Sequence, residues 1–259
     1  MTTVTQHAPG TFCWVELGTT DQQGAKNFYS ALFGWNYEDS PMGPDAIYTQ
    51  VQRSGRQAAA LYRMPSQMLQ QGIPPHWLCY VSVASADEAA AKAKQLGGRV
   101  IVEPFDAMEH GRMAVLQDPT GATLAVWQAK KHIGVSVLGE PGALCWAELG
   151  TNDPNAAGVF YAGLFGWTLE KWPSPPEYTL FKRGDSSAGG MYTLAGDKPG
   201  MSSHWMAYFA VENCDGCSAK VEQLGGEVVS PPRDVPGVGC LAVLRDPQGA
   251  VFSVIQPKP

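Results

Sequence analysis

The chain is written twice. Cys13-Trp14-Val15-Glu16-Leu17-Gly18-Thr19 returns, at an offset of 132, as Cys145-Trp146-Ala147-Glu148-Leu149-Gly150-Thr151. The same offset carries Phe28-Tyr29 to Phe160-Tyr161 and Leu32-Phe33-Gly34-Trp35 to Leu164-Phe165-Gly166-Trp167. Further on the offset is 128: His76-Trp77 becomes His204-Trp205, and Gln95-Leu96-Gly97-Gly98 becomes Gln223-Leu224-Gly225-Gly226. Asp118-Pro119-Thr120-Gly121 becomes Asp246-Pro247-Gln248-Gly249. A long fixed period means that one structural plan is built twice. The 259 residues therefore read as two halves joined near Lys130–Glu140, rather than as one large domain.

Each half divides again. Thr11–Thr19 reads as a strand, and Asp21 can cap a helix whose apolar stripe is Ala25, Phe28, Tyr29, Leu32 and Phe33. Gly34 closes that helix. Three short strands follow, around Trp35–Glu38, Ile47–Arg53 and Ala58–Tyr62, and a loop at Pro65–Pro75. The order then recurs: strand His76–Val83, helix Ala86–Leu96, and strands near Val100, Met113–Gln117 and Thr123–Gln128. The unit is βαβββ, four times over, in an α+β chain. The first domain is expected at 9–130 (units 9–65 and 75–130) and the second at 141–257 (units 141–195 and 203–257).

Composition narrows the function. Charged residues make up 16%, below the roughly 25% of an average globular protein, while apolar residues reach 44%. That excludes disorder and coiled coil. A net charge of −6 argues against nucleic acid and anionic membrane as partners. No apolar run approaches the roughly 18 residues that span a bilayer. The stretch Met1–His7 has neither a basic start nor an apolar core, so a cytoplasmic protein with reduced thiols is expected. Of the six cysteines, Cys214-Asp215-Gly216-Cys217 is a lone CxxC without a second pair and reads as a solvent-side helix start. Cys13, Cys79, Cys145 and Cys240 lie in strand-like runs and read as small core residues.

Four βαβββ units with Phe-Tyr in the first helix, Leu-Phe-Gly-Trp at its end and Asp-Pro-x-Gly before the last strand resemble the vicinal oxygen chelate superfamily. That superfamily holds glyoxalase I, bleomycin-resistance proteins and extradiol dioxygenases. The two-copy form with a CWxEL start is similar to actinobacterial glyoxalase-like proteins that carry the label hydroxylase. An accessory protein of anthracycline hydroxylation is of that kind. The resemblance implies two cup-shaped domains of about eight strands each. It also implies metal ligands on the first strand of each unit and on a last strand. Here those positions fall at Trp14, Leu78 and Ala125, and at Trp146, Met206 and Ser253. None supplies a hard or borderline ligand, so no metal and no cofactor is expected.

Strand alternation predicts what lines the cups instead. Trp14, Glu16 and Gly18 share a face, as do His76, Leu78 and Tyr80, and Thr123, Ala125 and Trp127. In the second half the sets are Trp146, Glu148 and Gly150; His204, Met206 and Tyr208; Val251, Ser253 and Ile255. The ligand-binding candidates are Trp14, Trp146, Tyr80, Tyr208, Leu78, Met206, Trp127, Ala125 and Ser253, a surface suited to a flat organic molecule. A carboxylate on an apolar strand beside tryptophan is partly desolvated. Glu16 and Glu148, with His76 and His204, are thus the candidates for acid–base catalysis. The same glutamates can equally be hydrogen-bonded wall residues, and His-Trp a packed strand start. Asp118, Asp246, Gly97-Gly98 and Gly225-Gly226 read as turn and helix-end residues, and Trp35 and Trp167 as covers for helix ends.

Two functions compete. One is a metal-free binding protein for an aromatic or polyketide-like compound, serving sequestration, antibiotic resistance or an accessory role in secondary metabolism. The other is a glyoxalase-like lyase or a hydroxylase working through Glu and His. Arg112 in the first half becomes Cys240 in the second, and Trp127 becomes Ile255, so the two cups need not bind alike. A monomer with two cups or a homodimer would serve either function.

Overall fold

A computed structural model describes residues 3–44, 46–173, 177–194 and 202–258. Met1, Thr2 and the unit boundary expected at 195 lie outside them. The first half runs β1 (Phe12–Thr19), α1 (Gln22–Phe33), β2 (Asn36–Gly43), β3 (Ala46–Arg53), β4 (Arg56–Arg63), α2 (Ser66–Gln70), β5 (His76–Ser82), α3 (Ala86–Gln95), β6 (Arg99–Ala107), β7 (Gly111–Gln117) and β8 (Thr123–Ala129). The second runs β9 (Leu144–Thr151), α4 (Pro154–Phe165), β10 (Thr168–Trp172), β11 (Tyr178–Arg183), β12 (Ser186–Thr193), β13 (His204–Ala210), α5 (Cys214–Gln223), β14 (Glu227–Val235), β15 (Gly239–Arg245) and β16 (Val251–Pro257). The βαβββ unit is therefore present four times. The segment 65–75, read as a loop, carries the short helix α2.

Each half forms one eight-stranded sheet, in the orders β2-β3-β4-β1-β5-β8-β7-β6 and β10-β11-β12-β9-β13-β16-β15-β14. The two units of a half meet along β1 and β5, or β9 and β13, which are antiparallel. The helices start and stop where the caps predict. The Asp21 side chain accepts from the Gly24 amide, and Gly34, at φ +69°, ends α1 in the left-handed conformation that glycine tolerates best. Asp153 and Gly166 do the same for α4. No described helix is long and apolar enough to cross a membrane.

One apolar core runs through both halves. Aromatic rings cross the junction: Phe33 lies 5.3 Å from Phe209, Tyr29 5.6 Å from Phe252, and Phe12 5.0 Å from Trp205. Trp35 and Trp167 pack on the ends of α1 and α4, against Phe33 at 5.1 Å and Phe165 at 4.8 Å, and they also reach further than that. Just after a left-handed glycine the chain turns back, and each indole is sent across to the other half. Trp35 Nε1 donates to the Gly142 carbonyl at 2.7 Å, and Trp167 Nε1 to that of Gly10 at 2.8 Å. The Asp-Pro-x-Gly aspartates also do more than cap a turn. Asp246 Oδ1 accepts the Gln248 and Ala250 amides, while its Oδ2 accepts the hydroxyl of Tyr29 from the first half at 3.0 Å. Tyr29 in turn accepts from Trp77 Nε1. In mirror image Trp205 Nε1 donates to Tyr161, whose phenol faces Asp118. Cys214 is fully buried at the start of α5 rather than solvent-side, because its amide is tied to Gln256 Oε1 on β16.

Candidate functional site

The strand registers assemble the cup walls as rows. In the first half Trp14 pairs with Tyr80 and Tyr80 with Ala125; one row along, Glu16 pairs with Leu78, and then Gly18 with His76. Trp14, Tyr80, Ala125 and Trp127 share a separate apolar cluster with Leu78, Met113 and Val115 at its margin. In the second half the rows are Trp146–Tyr208–Ser253, Glu148–Met206 and Gly150–His204. Arg112 and Cys240 face away from the cups. Arg112 instead pairs with Asp87 at 2.7 Å.

The positions at which the superfamily resemblance implies metal ligands are thus wall positions of both cups. They carry indole, aliphatic, thioether and hydroxyl groups. Among the described residues no three His, Cys, Asp or Glu side chains stand together as a metal-binding group. The residues present do not fit a divalent ion.

What stands there instead, in each cup, is a glutamate bonded by one tyrosine and a tryptophan bonded to another, which in the second cup also reaches the glutamate. Trp146 Nε1 donates to the Tyr178 hydroxyl at 3.0 Å, and the Tyr208 hydroxyl donates to Glu148 Oε2 at 2.6 Å. Since Tyr178 accepts the indole proton, its own proton is available to Glu148, to which it also bonds. In the first cup the Tyr80 hydroxyl donates to Glu16, and Trp14 bonds to Tyr48. A further tyrosine lies by each carboxylate, Tyr62 by Glu16 and Tyr192 by Glu148. Burial pushes the Glu16 carboxyl up to about 7, against the stabilising Tyr80 hydrogen bond. Burial likewise raises Glu148, opposed by its bonds to Tyr208 and Tyr178 and by the nearby charges of Arg233 and His204.

Of the predicted site residues, Glu16, Trp14, Tyr80, Ala125, Trp127 and Leu78 come together in one cup, and Glu148, Trp146, Tyr208, Ser253 and Met206 in the other. His76 and His204 stand at the rim. Each gives its Nδ1 proton to a nearby carbonyl at 2.9 Å, that of Pro74 or Ser202, rather than bonding to the glutamate. Sequence reasoning missed Tyr48, Tyr62, Tyr178 and Tyr192. An offset of 130 between the first and second pair was the signal, intermediate between the two that were used.

The cups differ in what covers them. The segment joining the halves enters the first. Trp127 Nε1 donates to the His132 carbonyl at 2.9 Å, and the His132 ring stands edge-on to Trp14 at 4.7 Å. Gly134, at φ +109°, lies so close to β1 that a Cβ would fall 2.1 Å from the Cys13 carbonyl oxygen. The Val135 amide then donates to that carbonyl at 2.7 Å, and the Ser136 amide to Gln57 O at 2.8 Å. The joining segment is thereby threaded between β1 and β4. His7 Nε2 bonds to the Val135 carbonyl at 2.8 Å and holds the amino-terminal arm over it. Trp14 and Trp127 are left 5% and 8% exposed, and Val135 not at all. Burial, with His110 and His7 nearby, lowers the His132 imidazole to about 4. In the second cup the counterparts Trp146 and Ile255 are half-buried, while Tyr178, Tyr192 and Met206 are half-buried just as Tyr48, Tyr62 and Leu78 are in the first.

Residues 11–126 match the model of the glyoxalase/bleomycin resistance protein/dioxygenase superfamily, and residues 146–255 that of a glyoxalase-like domain. The chain is 41% identical over 257 residues to a Mycobacterium tuberculosis protein named "Putative glyoxylase CFP32", covering 98% of this chain and 97% of that one. It is 34% identical to the "Anthracycline biosynthesis protein DnrV" of Streptomyces peucetius, covering 98% and 95%. Among solved structures, the Mn(II)-bound glyoxalase from Novosphingobium aromaticivorans superposes with a TM-score of 0.64 at 16% identity, over 96% of this chain and 82% of that one. The 2,3-dioxygenase LapB from Pseudomonas sp. KL28 gives 0.64 at 12%, over 100% and 94%. Those two likenesses concern the fold alone. With both halves matched and relatives spanning nearly its full length, the chain belongs to the glyoxalase/bleomycin resistance protein/dioxygenase superfamily, in its tandem two-domain form.

Proposed function

We propose that this chain is a metal-free small-molecule-binding protein that takes a flat aromatic or polyketide-like compound in its second cup. The observation that carries this reading is the contrast between the two cups. The indole of Trp14 is sealed under the joining segment, whereas that of Trp146 is half-buried, with half-buried Ile255 where the first cup has the buried Trp127; the tyrosines and glutamates around them are buried alike in both cups. Half-exposed aromatic faces around a few fixed polar groups are what a planar ligand needs. The lack of ligand side chains at the family's metal positions favours binding over chelate chemistry. The full-length relative named for anthracycline biosynthesis supports an accessory role in secondary metabolism, by delivery or sequestration. We place this role in the cytoplasm, with one small-molecule partner and no nucleic acid or membrane. Titration with planar aromatics, followed by tryptophan fluorescence, tests it. Quenching is expected in the parent protein and in Trp14→Phe, and it should shrink in Trp146→Phe. Flat titrations throughout would refute the reading.

A second reading has one observation in its favour: Glu148 holds its proton more tightly than an ordinary carboxyl and lies near the His204 charge. A glyoxalase-like lyase or a hydroxylase would use that pair for proton transfer. Glu148→Gln that binds ligand normally but loses a measured turnover would select this reading.

A further inference from the structure

The two halves tie helix to sheet by different chemistry. In the first, Arg112 on β7 donates to both carboxylate oxygens of Asp87, in the first turn of α3, at 2.7 and 2.8 Å. In the second, Asp215 holds the place of Asp87, but Cys240 holds that of Arg112, so this ion pair cannot form. Two positions on the helix change together with it. Ala86 and Ala89 of α3 become Cys214 and Cys217 of α5. Three thiols thus appear on facing elements of the second half, where the first half has Ala, Ala and Arg.

Two of these thiols are brought into contact. Cys240 pairs with Gln256 across the β15–β16 ladder, and Gln256 Oε1 accepts the Cys214 amide at 3.0 Å. One side chain therefore sets the start of α5 beside Cys240, as Gln128 sets Ala86 beside Arg112 in the first half. The Cys214 thiol donates a hydrogen bond to the Cys240 sulfur. Cys214 is fully buried, whereas Cys240 is half-exposed, and both are free thiols. Burial and the bond to Cys240 hold Cys214 protonated well above the ordinary thiol range, so it does not meet an oxidant as a thiolate. Cys217, three residues on, lines a surface groove with Arg53 and Lys220 and is the competing partner for Cys214.

We propose that Cys214 and Cys240 close to a disulfide on exposure to peroxide, a redox-dependent brace standing where the first half has its Arg112–Asp87 ion pair. Cys240 is the thiol within reach of solvent. With hydrogen peroxide it gives a sulfenic acid and one water. The Cys214 sulfur then attacks that of Cys240. Its proton, already directed there, leaves with the sulfenic hydroxyl as a second water, and the S–S bond forms. Two electrons pass from the thiol pair to the peroxide. The bond closes a loop of 27 residues from Cys214 to Cys240 and pins β15, which holds the edge strand β14 in the sheet. Reductant returns both thiols and opens the brace.

The test treats the whole chain with hydrogen peroxide, caps remaining thiols with iodoacetamide, and maps unreduced digests by mass spectrometry. A Cys214–Cys240 link is expected, with a thermal midpoint about 5–10 °C above that of the reduced protein and restored by dithiothreitol. Cys240→Ser should lose both responses. Cys214→Ala, which restores the first half's residue, should lose them too, and Cys217→Ser should keep them. A Cys214–Cys217 link would overturn the proposal, as would oxidation of Cys240 to the sulfinic acid with no link. A peroxide-induced rise in midpoint that survives in Cys240→Ser or Cys214→Ala would also overturn it.

Discussion

Replacing Glu16 by glutamine keeps the shape of the side chain and an acceptor for Tyr80, and removes only the capacity to ionise. The carboxyl rises from an ordinary 4.5 to about 7 in the fold, because burial penalises the charged form more than Tyr80 stabilises it. Between those values the folded chain binds more protons than the unfolded one, so stability falls as pH rises through that window. At about 1.4 kcal/mol per pH unit, the loss between pH 5 and pH 8 comes to about 2–3 kcal/mol, since the unfolded group is already largely ionised at pH 5. His132 acts in the opposite sense across the same cup. Its imidazole is lowered from 6.5 to about 4, so its contribution is present above 6.5 and lost as pH falls through the window to about 4. The two windows overlap, and the parent protein's own curve is therefore flattened. Comparing urea unfolding of the parent and Glu16→Gln at pH 5 and pH 8 cancels His132 and isolates Glu16. The variant should gain about 2–3 kcal/mol on the parent between the two conditions. A difference that stays constant with pH would refute the desolvated carboxyl.

Three further outcomes follow from single contacts. Tyr29→Phe leaves the Trp77 indole N–H and Oδ2 of Asp246 unpaired in the core between the halves, and should cost about 2–4 kcal/mol in urea unfolding. A neutral result would mean that this relay does not join the halves. Gly134→Ala puts a methyl against the Cys13 carbonyl and forbids φ +109°, so the joining segment must lift. Loss of about 2–4 kcal/mol is expected with the burial of Val135, together with stronger acrylamide quenching as Trp14 and Trp127 are uncovered. Trp35→Phe removes the donor to Gly142 and should lower stability by about 1–3 kcal/mol, read from the thermal midpoint.

The features legible in the sequence were those with a local physical cause. Asp21 and Asp153 cap helices by their own side chains, Gly34 and Gly166 stop them, and the two-residue alternation around Trp14, Leu78 and Ala125 gives one cup face. Strand registers then bring these rows together without further information, because hydrogen-bonded neighbours on one face must adjoin. What escaped was everything decided between elements distant in the chain. Trp35 was read from the glycine before it, but its position is set by a carbonyl 107 residues away. Asp246 looked like a turn residue because its Oδ1 is one, while its other oxygen serves Tyr29, 217 residues distant. Tyr48 and Tyr178 lie on weakly patterned strands whose offset differs from that of the flanking motifs, so the repeat was read past them.

The joining segment was least legible of all, and it bears most on function. Val135 and Val137 have no periodic neighbours and would pass as linker, yet both are fully buried, Val135 in the first cup and Val137 in the common core. Because the segment is committed to the first half, the duplicated Trp–Tyr–Glu–Tyr network has two surroundings in one chain. Under the segment it is a closed wall whose carboxyl is held near neutrality by burial. In the second half no joining segment covers the tryptophan, and Trp146 exposes part of its ring. The network as such is therefore a device for stabilising a carboxylate inside an apolar cup, common to both halves. Whether it also receives a ligand depends on its cover, which the joining segment supplies to Trp14 and not to Trp146.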